Sequence, residues 1–341
     1  MHAPSIRTVP HGRRITRRRL LTAAATIGAL AVAAPATAGA QAPPPCATDG
    51  ATGLAYAQGV NCRTVKLDGH PRRFLVYVPQ TAPPAGARRP VVFMFHGSSG
   101  TGEQFAASSG WREEADRSGL IAVFPTGQRY RITETGRLST KWADFNLVDD
   151  IDEIETPPAD DVGFVDDMLA DIEAGLSIDS HRVYASGFSN GAGFAARLAV
   201  DRSETFAAVA YSGGGLNAAH TPARSVPTYA TVGTLDQKIL ERMDPPITEL
   251  PLGPVQILSN AEIREYLSIA LETVGLDEHL YGVTAQPHST NFRWPATGNG
   301  PVYRFAMLEG VTHQYPNGTN NPNGFAAAPE FADFFAAHRL P

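Results

Sequence analysis

From about residue 74 to residue 338, apolar runs rich in β-branched and aromatic residues alternate with amphipathic stretches of helical spacing. That alternation limits the folds open to the chain more than any other feature. Residues 74–78, 91–95, 120–124, 182–186, 207–211, 228–232 and 302–307 read as strands. Residues 111–118, 190–199, 261–274 and 329–338 read as helices, as does the face Phe164, Val165, Met168, Leu169 and Ile172. A helix between two strands supplies the long crossover that parallel pairing needs. The continuously apolar run 91–95 is what a strand covered on both faces requires. The expected architecture is therefore an α/β domain over residues 73–341: a mostly parallel central sheet with helices on both faces. Apolar residues make up 43% of the 341 and charged residues 18%, which is enough to fill such a core. Residues 126–161 and 237–259 fit neither period and are expected to be long loops that shape a site.

The N-terminus reads as an address. Residues 1–40 hold six arginines and no acid, and Thr16-Arg17-Arg18-Arg19-Leu20-Leu21 opens a run of fifteen mostly apolar residues. A basic start, a short apolar stretch and small residues at Ala36-Thr37-Ala38 or Ala38-Gly39-Ala40 describe an export signal over residues 1–40. The run is too short to span a bilayer, which takes about 20 residues, so no stable membrane insertion is expected after cleavage. The arginines before Leu20 resemble a twin-arginine signal, which implies a secreted, periplasmic or cell-envelope protein. The rest of the chain carries 22 of the 28 basic residues against 34 acidic ones, a poor composition for nucleic acid. Residues 41–72 form an N-terminal segment whose Cys46 and Cys62, the only cysteines, are expected to pair as a disulfide closing a loop outside the sheet.

Gly187-Phe188-Ser189-Asn190-Gly191 fits G-x-S-x-G, follows the apolar strand and opens a helix of small residues. That strand–turn–helix setting is what a nucleophile elbow needs, because the glycines permit a turn sharp enough to expose the serine oxygen. A serine hydroxyl is inert near neutral pH without a base, and the base needs an orienting acid. Chain order Ser, Asp, His selects Asp236, after the strand 228–232, and His313, after the strand 302–307. Asp244 and Asp277 compete as the acid; His279, His288 and His338 compete as the base. The backbone N–H groups of Asn190 and Ser98 are the candidate oxyanion hole, and His96 is read as a buried residue shaping the same loop. Tyr130, Trp142 and Phe145 are expected to stack on substrate. The acids Asp149, Asp150, Asp152, Glu153 and Glu155 lack EF-hand spacing and read as a solvated loop, so no metal is assigned.

Three segments together, Pro90-Val91-Val92-Phe93-Met94-Phe95-His96-Gly97, Asp160-Asp161-Val162-Gly163-Phe164-Val165 and the elbow, resemble the polyhydroxybutyrate depolymerase/feruloyl esterase-like family of α/β-hydrolases. The resemblance runs over roughly residues 65–340. It implies hydrolysis of small or oligomeric carboxylic esters through an acyl-enzyme, with no cofactor. The chain departs from the family at Gln237-Lys238-Ile239, in the stretch 237–259, which looks inserted, and in lacking extra cysteines around Trp142. A β-diketone hydrolase acting on oxidised polyvinyl alcohol and an acyltransferase could use the same triad. A non-catalytic binding protein would need that triad broken. The chain ends just after its last helix, which favours soluble esters over crystalline polyester as the expected substrate.

Overall fold

The computed structural model describes residues 55–341 except 68, 85 and 299; the export-signal assignment and Cys46 lie outside the described residues. The first layer is a ten-stranded sheet. Its early strands are β1 (Gly59–Leu67), β2 (His70–Val78), β3 (Arg89–Phe95) and β4 (Ile121–Pro125), with α1 (Gly102–Ser108) and α2 (Trp111–Ser118) between the last two. A hairpin of β5 (Gln128–Arg131) and β6 (Leu138–Lys141), then α3 (Leu147–Asp150) and α4 (Asp161–Gly175), lead to β7 (Ile178–Phe188). Next come α5 (Asn190–Asp201), β8 (Ala208–Ser212), β9 (Thr228–Leu235), α6 (Gln237–Leu240), α7 (Pro254–Ser259) and α8 (Ala261–Val274). The chain closes with β10 (Gly282–Gln286), β11 (Ser289–Trp294), β12 (Tyr303–Thr312) and α9 (Ala327–Ala336).

The strand order is β1-β2-β4-β3-β7-β8-β9-β12-β11-β10. The six strands from β4 to β12 are parallel, and the four outer strands add antiparallel hairpins at the two edges. Strand periodicity feeds both faces. Val91, Phe93 and Phe95 point into a core shared with α4, α5 and α8, while Val92 and Met94 point into a second core shared with α1, α2 and α9. A strand buried on both sides cannot alternate with polar residues, which is why the central strands read as unbroken apolar runs.

Two sequence expectations change. The stretches expected to be loops contain short elements: β5, β6 and α3 in the first, α6 and α7 in the second. These were illegible because four- and six-residue elements carry too few periods to show. The sheet also begins before residue 73. Cys62 sits in β1 opposite Leu75, so the expected disulfide would attach within an edge strand and not outside the sheet. Among the described residues no helix is long and apolar enough to cross a membrane.

Candidate active site

Strand β7 ends at Phe188, and helix α5 begins at Asn190, leaving Ser189 alone to make the turn. Its backbone sits at φ 54°, ψ −121°, a conformation that L-residues rarely adopt. The turn survives because the elbow is wedged from below. A Cβ on Gly191 would lie 2.2 Å from the Phe95 carbonyl oxygen and 2.5 Å from that of His96, so only glycine lets α5 approach β3 this closely.

The parallel order then brings distant residues to the same edge. Strand β9 delivers Asp236 and β12 delivers His313, both at strand C-terminal ends. His313 Nε2 lies 2.9 Å from Ser189 Oγ, and His313 Nδ1 lies 2.8 and 3.0 Å from the two Asp236 oxygens. Asp236 is 1% exposed. Its carboxylate caps α6, accepting the Lys238 N–H at 3.0 Å and the Ile239 N–H at 3.4 Å, which fixes its orientation. Gln237, at the point of departure from the family pattern, accepts the His313 N–H on its side-chain oxygen at 3.1 Å. The competitor acids Asp244 and Asp277 are exposed. His288 pairs with Glu309, and His338 packs on Phe334, so neither reaches Ser189.

The loop that carries Ser98, a candidate oxyanion donor, follows β3. His96 is 2% exposed, and its Nε2 accepts the Gly127 N–H at 3.0 Å. Nδ1 must then carry the proton and donates to the Gly97 carbonyl at 2.7 Å. Burial lowers the His96 pKa to about 4, which keeps the ring neutral. The Gly100 N–H also donates to the Gly97 carbonyl. In a trans peptide the N–H points opposite to the C=O, so the Ser98 N–H is turned away from the His96 ring, and Ser98 and Ser189 both line the same cleft. Among the described residues neither the Ser98 nor the Asn190 N–H has an acceptor within the chain. Two unsatisfied N–H groups beside a half-buried hydroxyl that lines the cleft can receive an oxyanion, and the hydroxyl can pass its proton to an imidazole held by a carboxylate.

The cleft holds about 810 Å³. Val232, Met243, Leu250, Ile263, Phe305 and Met307 supply an apolar wall. Glu134, Lys141, Asp144, Asp149 and Asp150, together with Lys238, Arg242 and Glu262, supply its polar lining. The apolar wall was not legible in the sequence, because its members come from four separate segments. The aromatic residues expected to stack on substrate do not line the cleft. Tyr130 and Trp142 are both 0% exposed. The Tyr130 hydroxyl accepts the Ala159 N–H, and the Trp142 indole donates to the His96 carbonyl, so both satisfy buried polar groups inside the fold. Phe145 stacks on His220 with centroids 3.9 Å apart, beneath the Arg197 guanidinium. An aromatic-rich loop looks the same in sequence whether its rings face in or out.

Residues 73–232 match the family profile described as Esterase PHB depolymerase, a stretch that ends four residues before Asp236. The chain is 27% identical over 224 residues to NocK of Nocardia uniformis subsp. tsuyamanensis, which carries an esterase designation. That alignment covers 64% of this chain and 61% of NocK. It is also 27% identical over 179 residues to feruloyl esterase D of Neurospora crassa, covering 51% of this chain and 56% of that protein. The alignments thus span about three fifths of the length of these curated relatives. An acetyl xylan esterase from Aspergillus awamori has a TM-score of 0.52 at 15% identity, covering 81% of this chain and 99% of its own. An S-formylglutathione hydrolase from Agrobacterium tumefaciens has a TM-score of 0.52 at 16% identity, covering 84% and 98%. At such identities the likeness speaks for the α/β-hydrolase fold. Profile and relatives converge on one likeness: over residues 73–232, just under half of the chain, the protein is similar to the polyhydroxybutyrate depolymerase/feruloyl esterase-like family, and its fold is that of the α/β-hydrolases.

Proposed function

We propose that this protein is an exported serine esterase that cleaves small or oligomeric carboxylic esters. The reading rests above all on the hydrogen-bonded line from Asp236 through His313 to the strained Ser189, at the mouth of a cleft. Because Nδ1 of His313 donates to Asp236, Nε2 is free to accept the Ser189 proton. Ser189 Oγ attacks the ester carbonyl, the carbonyl electron pair becomes the oxyanion, and the Ser98 and Asn190 N–H groups receive it. His313 then returns the proton to the leaving alcohol, and the same machinery activates water against the acyl-enzyme. The apolar wall suits an acyl chain or aromatic acid, and the polar lining suits an alcohol bearing hydroxyl groups. Export through the basic N-terminal signal and a Cys46–Cys62 disulfide belong to the same proposal, since an oxidising compartment is where such a bond persists.

The test is a fluorophosphonate probe followed by peptide mass analysis, with a panel of p-nitrophenyl, feruloyl and 3-hydroxybutyrate-oligomer esters. The adduct is expected on Ser189, and Ser189→Ala should lose labelling and turnover together. Labelling elsewhere, or ester turnover that survives Ser189→Ala, would overturn the proposal. Product analysis in the presence of a second alcohol separates hydrolysis from acyl transfer.

A further inference from the structure

The two oxyanion donors come from segments about ninety residues apart, and catalysis needs their separation fixed to a fraction of an ångström. One residue touches both segments. The Trp142 indole Nε1–H donates to the His96 carbonyl at 3.0 Å, one residue before Gly97. Its backbone docks on the Asn190 side chain: the Trp142 N–H donates to Asn190 Oδ1 at 2.7 Å, and Asn190 Nδ2 donates to the Trp142 carbonyl at 3.1 Å. Asn190 Nδ2 also donates to Asp144 at 2.9 Å.

The strut is itself held rigid. The Ala143 N–H donates to the Asp161 carboxylate at 2.7 Å, and Asp161 is ion-paired with Arg72 at 2.7 Å in the interior. Arg197 donates to the Ala143 carbonyl at 2.6 Å. The indole ring stacks on Phe194 of α5, with centroids 5.4 Å apart, and meets Phe95 of β3 edge-on at 5.1 Å. Neither oxyanion segment can shift against the other without breaking one of these contacts.

We propose that Trp142 and the Asn190 carboxamide form a clamp that sets the geometry of the oxyanion hole, which makes them positioning residues for the reaction. The inference builds on the reading of Ser98 and Asn190 as oxyanion donors. Asn190 then has two separate jobs: its backbone binds the oxyanion, and its side chain anchors the strut that fixes the other donor.

Trp142→Phe removes the indole donor while keeping most of the ring packing, and Asn190→Ala removes the dock while leaving the backbone N–H. The measurements are kcat and KM on a p-nitrophenyl ester and the inhibition constant of an aryl trifluoromethyl ketone. Ser189 Oγ adds to that ketone carbonyl, the proton passes to His313, and the carbonyl pair becomes an oxyanion in the hole. Trp142→Phe should lower kcat by about 5- to 10-fold with KM held within about 3-fold, the scale of one hydrogen bond. Asn190→Ala, which breaks three bonds, should lower it on the order of 100-fold. In both variants the ketone should lose affinity by the same factor as kcat/KM. A structural role alone would not track the tetrahedral adduct in this way. If kcat falls while ketone affinity stays at the wild-type value, or if neither changes, the clamp is refuted. Should Trp142→Phe fail to fold, the half-buried Asn190→Ala carries the same comparison. A wild-type protein that turns over no ester and takes no fluorophosphonate would instead sink the esterase reading.

Discussion

Replacing Asp236 by asparagine tests the site with the smallest possible change of shape. In the native arrangement both carboxylate oxygens face His313 Nδ1, and two backbone N–H groups hold the carboxylate in place. The introduced amide would keep those helix N-terminal bonds with its oxygen at the Oδ1 position, already shared by two N–H donors, and would put its NH₂ at the Oδ2 position, 3.0 Å from the imidazole Nδ1. Two donors cannot share one hydrogen bond, so the ring would move its proton to Nε2 and present N–H to Ser189. The nucleophile then has no base. The charge effect adds to this. Opposite charges about 4 Å apart at an effective dielectric near 20 interact by about 4 kcal/mol, which is stabilisation that the imidazolium would lose. With about 1.4 kcal/mol per decade, charge loss alone gives about 10³-fold, and the wrong tautomer brings the fall to about 10⁴-fold. The assay is kcat/KM on p-nitrophenyl butyrate together with the rate of fluorophosphonate labelling, with thermal unfolding as a check on folding. Asp244→Asn serves as the control, since that carboxylate is exposed. A loss of less than about 10-fold in Asp236→Asn, or a larger loss in Asp244→Asn, refutes the assignment.

Three further outcomes follow from the same geometry. Gly213 has φ 62°, and a Cβ there would lie 3.2 Å from an Asp236 oxygen and 3.4 Å from His313 Nδ1. Gly213→Ala should therefore cost about 1–2 kcal/mol of stability and lower turnover beyond that loss, which calorimetry and kinetics on one sample would show. Because the folded His96 has its pKa lowered to about 4 against about 6.5 unfolded, the unfolded chain takes up that proton first. The stability it contributes is full above pH 6.5 and is lost as pH falls toward 4, by about 3 kcal/mol, and denaturant titrations of wild type and His96→Gln across that range should differ in this acid limb. Exported protein alkylated without reduction should keep its unmodified mass if Cys46 and Cys62 are paired, and two alkyl groups would refute the pairing.

The fold class was legible in the sequence because a doubly covered parallel sheet forces its strands to be apolar on both faces, as residues 91–95 and 207–211 are. The elbow was legible too, since its glycines must sit at fixed offsets around one serine. Asp236 and His313 could be named because strand ends and chain order restrict the choices. What tertiary structure alone decided is which way a side chain faces. Trp142 in an unassigned loop reads as a ligand-stacking residue, yet the fold turns its indole inward to the His96 carbonyl while its backbone docks on the Asn190 side chain. The apolar wall shows the same limit. Val232, Met243, Ile263 and Met307 become neighbours only when β9, β12 and α8 converge with the segment after α6. Local periodicity reports how a segment meets the core, because burial acts on every turn of a helix or strand. It carries no record of which distant segments meet each other, and the cleft is made of those meetings.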